Sequence, residues 1–181
     1  GAGDTDNAGN DEIGIMVGGL GTDGRAYLLE DLTLKAGPKT WGGVATAAYD
    51  RHDADAIVCE KNFGGEMVRY VIDSQPRNAG LKRNCKLIVA SRGKAVRAEP
   101  ISSMHEQGKI RFVGRFTRLE DELCSMTTNG YVGENSPNRA DAFVWLMSEL
   151  FPGIVKADAE KEKPPRRTGG YRAPQVDAWA A

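Results

Sequence analysis

Residues 136–151, SPNRADAFVWLMSELF, constrain the fold more than any other stretch of this chain. Ser136 offers a helix N-cap, and Pro137 suits a first helical turn, where its missing N–H costs nothing. The run beyond is apolar almost all round: Ala142, Phe143, Val144 and Trp145 alone nearly complete one turn. A helix of that kind is buried on most of its surface. Asp141 sits inside this run, where a carboxylate is costly unless something pairs with it. It can meet free N–H groups of the first turn, helped by the helix dipole. It can pair with Arg139 or another arginine, or it can ligate a metal ion.

The rest of the chain reads as short apolar runs alternating with helical stretches. EIGIMVGG (12–19) and RAYLLEDL (25–32) are strands of a hairpin, joined by the turn residues of GLGTDG. Residues 37–52 read as a helix entered near Pro38, although Gly42-Gly43 weakens it. DAIVCEK (55–61) and CKLIVAS (85–91) are buried strands, with a helix over 64–75 between them. Residues 94–109 read as a helix in two pieces, broken at Pro100. A strand (110–114) and an amphipathic helix (117–127) follow, and the polar loop TNGYVGEN leads to the opening helix. A hairpin followed by βα units predicts an α/β fold, a mixed sheet flanked by helices. In such sheets, sites gather at strand ends. One domain is expected over 1–155, with 1–10 a flexible lead-in. The charged, Pro/Gly-rich stretch 156–181 has no core face and reads as a disordered or linker tail.

At 181 residues, 40% hydrophobic and 27% charged, the chain suits one globular domain. No apolar run approaches the ~20 residues of a membrane helix, and the polar, acidic N-terminus is not a signal peptide. Cys59, Cys85 and Cys124 form no CxxC pair, which points to buried, reduced thiols rather than a zinc site or disulfide framework. The net charge of −1 hides an asymmetry: residues 82–118 carry ten Lys/Arg against Glu99 and Glu106, a local +8 against −9 elsewhere. Such a block suits either a polyanion met on one face or a solvated surface.

Three acids stand where acids are unexpected: Asp11, as the first visible strand begins; Glu60, at the end of AIVCE; and Asp141. Gathered together they would make an oxygen-only cluster, which suits Mg²⁺ or Mn²⁺. Two such ions ~3.5–4 Å apart clamp the attacking and leaving oxygens of a phosphodiester. The plainer alternatives are a solvated strand end for Glu60 and a merely acidic N-terminus for Asp11. His52 and His105 read as surface residues and build no triad. GxSxG, Walker and Rossmann patterns are missing. GGLGTDG lies between two strands and fits a hairpin loop.

Five segments in order carry a resemblance. DEIGIMVGG…GRAYLLEDL, ADAIVCEKNFGGEMV, ASRGKAVRAEPISSMHEQGKIRFVG, LEDELCSMT and SPNRADAFVWLMSEL are together similar to the C-terminal nuclease domain of tailed-bacteriophage terminase large subunits, over roughly residues 11–152. The resemblance implies an RNase H-like fold and a metal-dependent endonuclease with two Mg²⁺ or Mn²⁺ ions, cutting concatemeric viral DNA during genome packaging. It implies double-stranded DNA, the terminase small subunit and the portal protein as partners, in the host cell cytoplasm. The family's N-terminal ATPase has no motif here.

In that resemblance Glu60 falls on the family's second metal-binding acid and Asp141 on its last, within an SP-x-R-x-DA pattern. Asn138 stands where relatives often carry Asp. Asp11 aligns with the D of DE-x-GI, and is the weaker neighbour of the catalytic set Glu60, Asp141 and Asp11. The family's first acid lies on an upstream strand not seen in this sequence, so the expected sheet lacks that strand. Arg92, Lys94 and Arg97 would approach the DNA backbone, although Lys94 can instead lean on the acids and orient water. Alternatives are a RuvC-like or other RNase H-like resolvase, and an inert DNA-binding or motor-docking module.

Overall fold

The computed structural model describes residues 12–61, 66–76, 83–89, 94–127 and 129–153, with the side chains at 94–96 outside that set. Asp11, Arg92 and the tail 156–181 lie outside the described residues.

The N-terminal hairpin forms as its turn chemistry demands. Strands β1 (Met16–Leu20) and β2 (Ala26–Asp31) pair antiparallel across GTDG, with a bulge between Val17 and Gly18. Asp23 fastens the turn by accepting the backbone N–H of Arg25 and the hydroxyl of Tyr27. Helix α1 (Pro38–Arg51) follows, then β3 (Ile57–Glu60), α2 (Glu66–Ser74), β4 (Cys85–Ile88) and α3 (Lys94–Glu106). The chain continues through β5 (Ile110–Phe112), α4 (Thr117–Cys124), β6 (Met126–Thr127), β7 (Gly130–Tyr131) and α5 (Asn138–Leu150). Strand β5 adds parallel to β2, and β3 pairs parallel with β4. The architecture is therefore mixed α/β. Among the described residues the strands form three sheets, β1-β2-β5, β3-β4 and β6-β7. Strands β1 and β3 each have a neighbour on one side only, and α5 packs against both.

The core lies between the β2-β5 surface and helices α3, α4 and α5. Leu28, Ile110, Leu119, Phe143, Val144 and Met147 are all nearly inaccessible. Phe112 meets both Phe116 and Phe143 edge-on, at 5.8 and 5.6 Å between ring centroids, a favoured aromatic geometry. Two glycines on the hairpin let α5 lie close. A Cβ at Gly14 would stand 2.0 Å from the Asn138 carbonyl oxygen, and one at Gly18 would stand 2.9 Å from Leu146 Cδ2. The Gly42-Gly43 pair is tolerated in α1 for a similar reason: a Cβ at Gly42 would meet Val71 Cγ1 at 2.6 Å, so its absence admits α2.

Several expectations need correction. Helix α3 runs unbroken through Pro100. The proline ring disturbs only the carbonyl four residues back, in the first turn, while Ile101 and Met104 anchor the helix in the core. Helix α4 ends at Cys124, and the loop after it closes as the small β6-β7 hairpin. Ser136 does not cap α5; the capping position is Pro137, without a side-chain bond of its own. Of the three free thiols only Cys85 is buried; Cys59 is half-buried and Cys124 is exposed. His52 is half-buried and pairs with Glu30 at 2.5 Å. His105 is exposed, its ring stacked on Phe112.

Candidate active site

Glu60 is the last residue of β3, at the C-terminal end of a parallel strand pair. Its Oε2 accepts the indole N–H of Trp145 at 3.1 Å. Trp145 lies one turn beyond Asp141 on α5, so the two share one side of the helix. Arg97, from α3, joins both. Its Cζ stands 4.3 Å from the centroid of the Trp145 ring, and its Nη2 is 3.8 Å from Asp141 Oδ1. Glu60, Asp141, Trp145 and Arg97 thus form one cluster drawn from three elements. The cluster is shielded: the side chains of Arg97 and Asp141 are 9% and 16% exposed.

The Asp141–Arg97 separation is that of an ion pair without a hydrogen bond. Arg97 Nε and Nη1 are buried and have no hydrogen-bond partner among the described residues. Native interiors pair such groups almost always, so this guanidinium holds donor capacity in reserve beside Asp141. Arg97, expected on a DNA-facing surface, is an inward part of this cluster.

A second cluster fixes where α5 begins. Of the arginines open to Asp141 from sequence, Arg97 is the one that meets it, and Arg139 turns to Glu12 at 2.5 Å, Asp31 at 3.2 Å and Glu122 at 3.3 Å. Burial alone would lower the Arg139 pKa, but hydrogen bonds to Glu12 and Glu122 outweigh it and the pKa is raised. The Arg139 hydrogen bond in turn holds the Glu12 carboxyl below the usual range. The other oxygen of Glu122 accepts the backbone N–H of Ala140 at 2.9 Å. A residue from α4 thereby satisfies an orphan donor of the α5 first turn, the service expected of Ser136. This anchoring sets the position of Asp141, one residue further on.

The basic block divides. Arg83 is buried against Asp50 at 2.7 Å, and Lys86 pairs with Glu149. Lys109, Arg111, Arg115 and Arg118 are exposed along β5 and the start of α4. Lys94 opens α3.

Sequence reading missed Trp145 and Glu122. The signal for Trp145 was present: an indole N–H in an apolar helix needs an acceptor, and the i, i+4 spacing places it beside Asp141. Glu122, on an exposed-looking helix, gave none.

Among the described residues, no group of three or more His, Cys, Asp or Glu side chains is arranged to hold a metal ion. Glu60 and Asp141 each offer hard oxygen donors, the ligand type of Mg²⁺, which is commonly bound by one or two carboxylates together with substrate phosphates. Cys59 adds no soft ligand. It alternates to the other face of β3 from Glu60, 3.9 Å from the Cys85 sulfur. Burial, reinforced by Cys85, pushes its thiol up to about 12.

The model of the terminase RNaseH-like domain family matches residues 2–150 of the 181. This chain belongs to that family. The mixed α/β architecture of the terminase domain agrees with an RNase H-like fold, and membership makes it a nuclease-type module in the context of a DNA-packaging motor. A search of curated proteins gives no match. No helix among the described residues of the terminase domain is long and apolar enough to cross a membrane.

Proposed function

We propose that this domain is the metal-dependent DNA endonuclease of a bacteriophage packaging terminase, cutting concatemeric double-stranded DNA alongside a small subunit and portal. The observation that carries this reading is the convergence of Glu60 and Asp141 on Trp145 and Arg97. Glu60 and Asp141 would hold Mg²⁺ or Mn²⁺. The bound ion would lower the pKa of a water and offset the charge developing on the phosphate. A two-ion site calls for a further carboxylate beyond these two.

The chain's own residues contribute the rest. Arg97 offers two buried nitrogens with unused N–H donors and a positive charge where a scissile phosphate would lie against the acids. Lys109, Arg111, Arg115 and Arg118 present exposed positive charge for the DNA backbone. Contacts of that kind carry no sequence information, which suits a nuclease that cuts many sequences.

The test is cleavage of supercoiled plasmid with Mn²⁺. Glu60→Ala and Asp141→Ala should each abolish cutting with thermal stability retained, and full activity in both overturns the assignment. Salt-sensitive DNA binding by the wild type without cleavage at millimolar Mn²⁺ would instead support an inert docking module. A preference for four-way junctions over linear duplex would support a resolvase.

A further inference from the structure

We propose that Trp145 is a positioning residue of this site, aligning the Glu60 carboxylate through its N–H and seating Arg97 against Asp141 through its ring. The inference rests on the metal-binding reading of Glu60 and Asp141. In a helix with this much apolar surface, Phe or Leu would satisfy packing alone. An indole supplies both a hydrogen-bond donor at its edge and the broadest electron-rich face among the side chains. Here both are in use at once, on groups of opposite charge from different elements: the edge on Glu60 of β3, the face on Arg97 of α3.

The arrangement has a physical consequence for each neighbour. A donor fixed on one oxygen sets the plane of the Glu60 carboxylate. Groups that orient metal ligands in this way typically matter 10–100-fold in metal affinity. The ring face holds the flat guanidinium of Arg97 by cation–π attraction, strongest where water is excluded. That contact keeps Arg97 Nη2 near Asp141 although no hydrogen bond joins them. Asp141 and Trp145, four residues apart, are carried by the same helix α5, and the indole ties that helix to Glu60 of β3.

Trp145→Phe keeps the ring and removes the N–H. In the full chain, without DNA, it should weaken Mn²⁺ binding measured by calorimetry about 10-fold, with little change in melting temperature. Wild-type affinity in this variant, while Glu60→Ala and Asp141→Ala lose binding, overturns the proposal and leaves the metal site standing. Binding unaffected by Glu60→Ala overturns the metal site and this proposal with it. A second measurement covers a variant that does not fold. The wild-type indole resonance, assigned by eliminating those of Trp41 and Trp179 with Trp41→Phe and Trp179→Phe, should shift with Mg²⁺ and saturate with the calorimetric curve. An indole signal indifferent to Mg²⁺ over that range also overturns the proposal.

Discussion

Glu122 on α4 caps α5: one of its oxygens accepts the Ala140 N–H at 2.9 Å, and the other faces Arg139 Nη1 at 3.3 Å. Removing Glu122 orphans the Ala140 N–H and takes away one of the three acids around Arg139, while Glu12 and Asp31 remain; leaving a buried donor unsatisfied costs roughly 1–3 kcal/mol. Glu122→Ala should therefore lower stability by about 2 kcal/mol in urea denaturation. Glu122→Gln keeps an acceptor for Ala140 and should lose less. Equal losses in the two variants would show that charge, not capping, dominates.

The same network gives the fold an acid limit. Glu12 has its pKa lowered in the folded state, first by the Arg139 hydrogen bond, and Asp50 has its pKa lowered by Arg83. A carboxylate depressed on folding stabilises the fold above its unfolded pKa, and that contribution fades as pH falls through the folded value. The ordinary values are 4.5 for Glu and 3.8 for Asp. Melting temperature should thus hold from neutral pH down to the region of 4.5 and then decline. Glu12→Gln should start lower and decline less steeply. An unchanged slope in that variant would remove Glu12 from the account.

Arg97 offers a separate test of the site. Its loss removes a preorganised positive charge from beside the acids, an effect worth on the order of 10²-fold in comparable donor deletions. Arg97→Gln should reduce single-turnover cleavage by about that factor. Arg97→Lys should not restore it, because an ammonium lacks the flat face that lies on Trp145. Full rescue by lysine would make charge alone sufficient.

Much of this arrangement was legible in the sequence, and the exceptions have physical causes. The hairpin, the short parallel strands and α5 follow from periodicity and turn chemistry, which act locally. Glu60 stood out as an acid at the end of an apolar run, and Asp141 as an acid inside one. An arginine partner for Asp141 is legible in the sequence, but which one is not, because proximity along the chain says little about direction. Residues two apart on a helix do not face one another. Arg139 points instead to Glu12, Asp31 and Glu122, and Arg97 reaches Asp141 from another helix. Pro100 was over-weighted as a break, since the core contacts of Ile101 and Met104 override its local preference. The capping role of Glu122 depends wholly on how α4 packs against α5.

Thiol chemistry gives an independent check on the packing. Cys85 is buried, and burial raises the pKa of both Cys59 and Cys85, whereas Cys124 is exposed. Thiolate, not thiol, is the reactive form. A disulfide reagent at neutral pH should modify Cys124 rapidly and the other two only after denaturation. Cys124→Ser should remove the fast phase, and a persisting fast phase would place Cys59 or Cys85 at the surface.

No backbone hydrogen bond joins the β1-β2-β5 and β3-β4 sheets among the described residues, yet α5 rests on both. The helix works as a keel between two hulls. Phe143 and Met147 are buried on its underside, so a change of side-chain volume there would press on the helix that carries Asp141. On the endonuclease reading, natural drift in this core is exposed to selection on turnover, and compensating pairs of changes should gather along α5 rather than within either sheet.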